Sequence, residues 1–426
     1  MVLRKIRYVL LLFIFSIPII LHSQTQQLTI DKIEFEGLKK TKTDYLLRFL
    51  DTRIKEATTL ERIEKDVQRL HNLPTISKAD YQLNTENDES KLIITIEEAA
   101  TLFPIINFGG IRGNFWYQLG FNNTHWMGRG FYLSGFYQNI DRRHNGNIYL
   151  RAPNFRGGKL GFSLSLLRYA STEPVFIGDQ SVYYDYTNLS STLTGIYQLN
   201  RTQSFELGGS YFSEDYKKDE RHDEEITLGP EDFQQPKLLG KAIHKVDKIN
   251  YHFFYLFGIE NIANLQTVYN FDEKSFFHIF LNDSRYFKRI KRKGNLAARL
   301  RLGISTNSDS PFAPFVLDSH INIRGSGNRI DRGTAALIFN IEYRHTVYDK
   351  KRFATQLVGF SDIGNWRTPG GSFKQLTTTE NYRHFFGGGF RIIYKKAFNA
   401  MLRVDYGVDL YNFNERGLVV GIGQYF

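Results

Sequence analysis

From Phe103 to Phe426 one local pattern recurs: apolar residues alternate with small, polar or charged ones, segment after segment, which restricts this part of the chain to β structure. In one segment Leu160, Phe162, Leu164 and Leu166 face one way and Gly161, Ser163 and Ser165 the other. In another, Leu402, Val404, Tyr406, Val408 and Leu410 alternate with Arg403, Asp405, Gly407 and Asp409. A sheet with one apolar and one charged face can bury the apolar face in a soluble sandwich. It can also turn that face outward to lipid around a wet lumen. Single strands fit both. Aromatic residues at 15% and a chain end of Tyr425-Phe426 favour the lipid-facing barrel. The mean hydropathy of -0.36 does not oppose this, because alternation averages out, and no second apolar run is long enough for a membrane helix.

The pattern divides into roughly sixteen strands of about ten residues, the length a tilted spanning strand needs. Short turns are expected near Asn123–Gly128, Asn154–Gly158, Leu199–Thr202, Gly258–Asn261, Lys288–Gly294, Tyr348–Lys351 and Lys395–Ala397. Longer loops are expected near Ser171–Gln180, Glu214–Gly240, Asp309–Arg332 and Asn365–Glu380. Short turns on one rim and long loops on the other are the barrel pattern.

Two further units precede these strands. Residues 1–23 read as a secretory signal peptide: Arg4, Lys5 and Arg7 lead an apolar run, Val9–Leu21, that is short for a spanning helix, and Ser23 precedes a cut at Gln24. Residues 25–100 read as a small β-α-α-β-β domain. An extended start, Leu28–Phe35, is followed by Gly37 and a helix carrying Tyr45, Leu46 and Phe49. A second helix carries the stripe Leu60, Ile63, Val67 and Leu70, with Thr59 as N-cap, and strands follow around Ser77–Leu83 and Leu92–Glu98. Such a domain has no pocket but offers a strand edge for a partner, and a Pro at Ile94 is expected to damage this domain or its binding while leaving the barrel inserted.

Composition excludes several classes. There is no Cys, so no disulfide framework or thiolate metal site forms, and none follows the apolar leader to take a lipid. The net charge of +11 is spread along the chain, and its one dense run, Lys288–Lys293, reads as a solvated turn, so no nucleic-acid partner is expected. The acidic run Glu214, Asp215, Asp219, Glu220, His222, Asp223, Glu224, Glu225 lacks the spacing of a calcium loop and reads as a solvated outer loop. His125, His144, His320, His345 and His384 are scattered, and neither G-x-S-x-G nor H-E-x-x-H occurs; no enzyme, metal or cofactor is expected.

The informative residues lie in the second half. Asn322-Ile323-Arg324-Gly325 sits in the long loop between Ser310 and Gly333, and Phe360-Ser361-Asp362-Ile363-Gly364 ends a later strand. With Trp126–Gly130, Asn340–Arg344 and Gly387–Arg391, they resemble, in order and spacing, the motifs of the BamA/TamA/two-partner-transporter superfamily of outer-membrane assembly and translocation barrels. The 25–100 unit resembles that superfamily's periplasmic POTRA domain. The resemblance implies a 16-stranded antiparallel transmembrane barrel at 101–426, in the bacterial outer membrane, with the POTRA-like domain in the periplasm. It also implies that Arg324 enters the lumen to meet Asp362, with Glu342 as a nearby second acid, and that Phe426 is read by the machinery that delivers the barrel. Two departures stand out: Ser326 replaces the aromatic expected after Arg324-Gly325, and there is one POTRA-like unit where assembly factors carry several.

The implied function is insertion or translocation of client outer-membrane or secreted polypeptides, with a partner on the POTRA-like domain. A dedicated secretion pore, a passive channel and a barrel phospholipase are the alternatives. The last is disfavoured because the leader runs almost directly into Leu28, with no catalytic domain between. Gly109 and Gly110 in the first strand and Gly421 and Gly423 in the last would weaken strand pairing at a lateral seam, or relieve crowding in a curved wall.

Overall fold

The structure is a computed structural model that describes residues 27–426 except 87–88, 112–113, 141–142, 156–157, 178–179, 220–228, 253, 308–312, 320, 328–331 and 396–400. The leader at 1–23, His320, Lys396–Ala397 and the Glu220–Glu225 part of the acidic run lie outside the described residues.

The N-terminal domain has a three-stranded sheet in the order Lys32–Glu36, Glu89–Glu98, Ile76–Glu86, the first pair parallel and the second antiparallel. Helices Thr43–Leu47 and Leu60–His71 cover it, and a short pair, Leu28–Thr29 with Ala57–Thr58, is added to the expected order. The Thr59 side chain caps the second helix by accepting the Arg62 N–H at 3.3 Å. Leu46, Leu50, Ile63, Leu70, Leu92 and Ile94 form the core. Ile94 is therefore not on an edge. Its strand is central and its side chain fully buried; the edges are Lys32–Glu36 and Ile76–Glu86. Chain order does not reveal that the last strand inserts between the other two. Ile94→Pro should unfold this domain, not merely blunt an edge, and protease digestion that releases the barrel intact would show it.

Sixteen antiparallel strands close the barrel, from Leu102–Ile111 to Arg416–Ile422. Alternation sets the two faces as expected. In Met401–Asp409, Leu402 and Tyr406 are exposed outside, whereas Arg403, Asp405 and Asp409 are buried inside. Large apolar side chains stand exposed round the outer wall, among them Leu166, Leu193, Leu265, Leu300 and Phe390, as a lipid-facing surface requires. No helix among the described residues is long and apolar enough to cross a membrane.

Three connections differ from expectation. Ser171–Gln180 is not a loop: Leu160–Ile177 and Gln180–Asn200 stay in register up to Ile177 and Gln180, held by a cluster of Val175, Val182, Tyr184, Tyr186 and Tyr216. Glu214 and Asp215 belong to the strand Gln203–Lys218, where Glu214 pairs with Lys237 and accepts from the Tyr186 hydroxyl. Gly258–Asn261 lies inside the strand Tyr255–Asn270, and the chain reverses before it. Gly258 marks a close approach instead of a turn, because a Cβ there would stand 2.1 Å from the Lys248 carbonyl oxygen.

The barrel turn after Trp126 seats the N-terminal domain. The Lys42 N–H donates to the Gly128 carbonyl at 3.0 Å, and Arg129 pairs with Asp44 at 2.8 Å. His125 Nδ1 accepts the Gly130 N–H at 2.9 Å, so Nε2 carries the ring proton and donates to Thr41 Oγ1 at 3.1 Å. A neighbouring turn adds Arg201 on Asp51 at 2.6 Å.

Glu98 fixes the docking loop by accepting the N–H groups of Lys39, Lys40 and Thr41 at 3.0, 3.0 and 2.8 Å. Partial burial pushes its carboxyl up, but these bonds outweigh it and hold the pKa below the ordinary 4.5. A carboxyl lowered by folding stabilises fully above its ordinary value and stops doing so as pH falls through the lowered one. Docking should thus persist at neutral pH and loosen only below the ordinary carboxylate range. Glu98→Gln should loosen it at neutral pH, read as a spin-label distance between the domain and the barrel.

Candidate functional site

In the connection between Ser305 and Ala335 the described residues 322–327 lie inside the barrel, and they form a tight reversal. Asn322 and Ile323 donate their N–H groups to the Asp318 carbonyl at 3.1 and 2.8 Å. Ser326 Oγ donates to the Ile323 carbonyl at 2.8 Å. Gly325 has a φ of 93°, and a Cβ there would stand 2.6 Å from the Gly407 carbonyl oxygen. Gly407 is equally constrained, since its own Cβ would meet the Arg324 carbonyl oxygen at 2.2 Å. The tip thus rests directly on the backbone of the strand Met401–Asp409.

This places the Arg324 side chain in the lumen at 0% exposure. Its Nε and Nη2 donate to the two Asp362 oxygens at 2.8 and 2.9 Å, and its backbone N–H adds a third bond to Asp362 at 3.0 Å. Nη1 donates to Glu342, and Asp405 lies 3.6 Å away. Glu342 also takes Arg344, and Asp405 is gripped by Arg391 at 2.6 and 3.1 Å. Asn340 donates to both Asp362 and the Asn322 carbonyl, at 2.9 and 2.8 Å. Arg299 and Arg301 hold the tip through the Ile321 carbonyl and Asn322 Oδ1, at 2.9 and 2.6 Å. Within a solvent-shielded lumen, such bidentate, charge-assisted bonds fix one geometry.

Aromatic faces complete the seat. The Arg324 guanidinium carbon lies 3.7 Å from the Phe360 ring centroid and 4.5 Å from that of Tyr425. Ser326 closes the turn, so no aromatic is needed at that position; the rings come from Phe360 in the wall and Tyr425 beyond the last strand. Gly364 leaves room for Ile323 and Leu317, which a Cβ would meet at 2.6 and 2.8 Å. Gly389 does the same for Asp405.

The structure thus brings together Ile323, Arg324, Gly325, Glu342, Phe360, Asp362 and Gly364. Sequence reasoning missed the contribution of Gly407, Tyr425 and Asn340 to this seat. Arg332, in the same connection, is half-buried and pairs with Glu173 at 2.6 Å. The described histidines serve local bonds: His144 with Tyr137, His345 with Tyr343, and His384 with Ser361.

The last strand ends at Ile422, short of Phe426. Gly423, at a φ of 94°, turns the chain inward. Tyr425 then donates its hydroxyl to the Ser319 carbonyl at 3.0 Å, and Phe426 packs with Phe287 and Ala297. Tyr425 thus leaves the wall to stack beside Arg324.

This diversion leaves a short seam. Among the described residues, Leu418–Val420 pair with Phe108–Gly110, whereas the first strand pairs with its other neighbour over its whole length, Leu102–Ile111. Gly109 and Gly110 lie in the seam; Gly421 faces Arg403 across the other edge, and Gly423 lies beyond the strand. Past Val420 the main-chain ladder gives way to one side-chain bond, the Ile422 N–H to Asn107 Oδ1 at 3.2 Å.

Residues 28–99 match the family model described as POTRA, surface antigen variable number repeat. No curated protein matches the sequence. Several solved structures share the fold. BamA from Haemophilus ducreyi lacking POTRA domains 1–3 does so at a TM-score of 0.54 and 15% identity, over 93% of this chain and 84% of that one. CdiB from Acinetobacter baumannii does so at 0.59 and 14%, over 93% and 74%. CdiB from Escherichia coli does so at 0.58 and 10%, over 93% and 76%. The chain therefore joins a POTRA domain to a 16-stranded transmembrane barrel with the fold of BamA and CdiB.

Proposed function

We propose that the chain inserts or translocates client polypeptides at the bacterial outer membrane, with its POTRA domain in the periplasm and without catalysis or a cofactor. The short seam carries this reading. Each main-chain hydrogen bond contributes a net ~0.5–1.5 kcal/mol, so a junction paired over so few residues is the wall's weakest. Among the described residues, Leu102–Asn107 has no strand partner on the seam side, which offers a client strand main-chain N–H and C=O groups whatever its sequence. The lumen holds the loop tip Asn322–Ser326 and Gln424–Phe426, which favours a lateral route over passage straight through. The POTRA edges Lys32–Glu36 and Ile76–Glu86 are the surfaces for an accessory partner.

The roles of the latch residues follow. Arg324, Asp362 and Glu342 hold the loop tip against the strand that precedes the seam, and so set how firmly the last strand is held. Depletion in cells tests the reading. Loss of many barrel proteins from the outer membrane supports general assembly. Loss of a single secreted protein points to a dedicated secretion pore, and loss of neither sinks both.

A further inference from the structure

A cavity of about 380 Å³ opens where the POTRA domain meets the barrel mouth. Three separate parts of the chain build it: the start of a POTRA edge strand at Ile76, the turn carrying Ile249, Phe254 and Leu256, and lumen-wall residues that include Phe287 and Met401. Gln424–Phe426 form its inner end. The Asn72 amide donates to Asn250 Oδ1 at 3.3 Å and ties the POTRA domain to the turn beside the cavity.

Two features define what it would hold. The Lys, Arg and Glu side chains that line it are paired: Glu260 with Arg285 and with Lys245, each at 2.9 Å, and Lys395 with Asp349 at 2.7 Å. A neutral ligand therefore fits better than an ionic one. Second, both amide atoms of Gln424 are shielded from solvent and have no hydrogen-bond partner among the described residues. A primary amide presents one C=O and one N–H₂ side by side, the complement of the N–H and C=O that one residue of an extended backbone turns to the same side. Apolar walls with one convergent amide, at a volume in the lower range of ligand clefts, form a site for a short apolar stretch of backbone.

We propose that this cavity binds a neutral, apolar peptide segment, one side chain among Leu256, Phe287 and Met401 and the backbone N–H and C=O of one extended residue on the Gln424 amide. This rests on the reading that polypeptides are the protein's clients and places their first contact at the POTRA side, before the seam. It also makes that contact adjacent to Tyr425, the residue that stacks on Arg324.

The test uses the full chain folded in detergent and two fluorescent capped probes, acetyl-Ala-Leu-Phe-Ala-amide and acetyl-Ala-Asp-Glu-Ala-amide, followed by anisotropy. The apolar probe should bind and the acidic one should not. Gln424→Leu, which keeps the bulk and removes the amide, should weaken binding about tenfold, and Met401→Trp, which fills the cavity, should abolish it. Heat-modifiable migration verifies that each variant is folded. Absence of binding to the native chain, equal binding of both probes, or native affinity in both folded variants would overturn the proposal. A disulfide across the seam, Phe108→Cys with Val420→Cys, separates the two claims. If the locked chain still supports assembly in cells while the apolar probe binds, the seam reading fails and the cavity stands. If locking stops assembly and no probe binds, the cavity fails alone.

Discussion

Arg324→Ala should expose the 306–334 connection to protease by roughly two orders of magnitude and remove most of the chain's activity in cells, whereas Lys350→Ala should change neither. The magnitude follows from burial. Arg324, Asp362 and Glu342 are fully shielded, and deleting the cation leaves two carboxylates with fewer partners. Breaking a buried ion pair costs about 3–5 kcal/mol, and about 3 kcal/mol is roughly a hundredfold. Arg324→Lys should rescue little, because one ammonium cannot reproduce the fork that meets both Asp362 oxygens while lying flat on Phe360. A double-mutant cycle with Asp362→Ala should show strong coupling; additive effects would mean that the pair does not hold the loop. Lys350 is the right control because it is exposed on a turn. Arg332 is not, since its bond to Glu173 anchors the same connection.

Much of this was legible in the residues. Two-residue alternation assigns Arg403, Asp405 and Asp409 to one face and Leu402 and Tyr406 to the other, and the aromatic content and chain end then favour the barrel over a sandwich. Arg324 and Asp362 were found through motif resemblance, with Gly325 permitting the reversal. Other features depend on information that local sequence does not hold. The inward turn at Gly423 is visible only once Arg324 and Ser319 are in place to receive Tyr425. Gly407 reads as one more small inward residue until the loop tip is laid upon it. The central position of Ile94 depends on sheet order, which strand propensity does not encode. Ser171–Gln180 looks like a loop by its polar residues, yet tyrosines on facing strands keep the ladder going.

The second large effect concerns the seam itself. The chain contains no cysteine, so Phe108→Cys with Val420→Cys creates one possible disulfide and no competitor. These residues face each other across the only stretch in which the first and last strands pair among the described residues. Antiparallel partners stand about 4.5–5.5 Å apart between Cα atoms, within the span of about 4.4–6.8 Å that a disulfide bridges. Oxidation should therefore lock the barrel without distorting it, and each single-cysteine chain controls for the substitutions. The central claim is that this seam must open for a client to pass or pair. In cells that depend on the double-cysteine chain, the account predicts loss of outer-membrane assembly or secretion on oxidation and its return on reduction. Normal client delivery by fully cross-linked protein would contradict it.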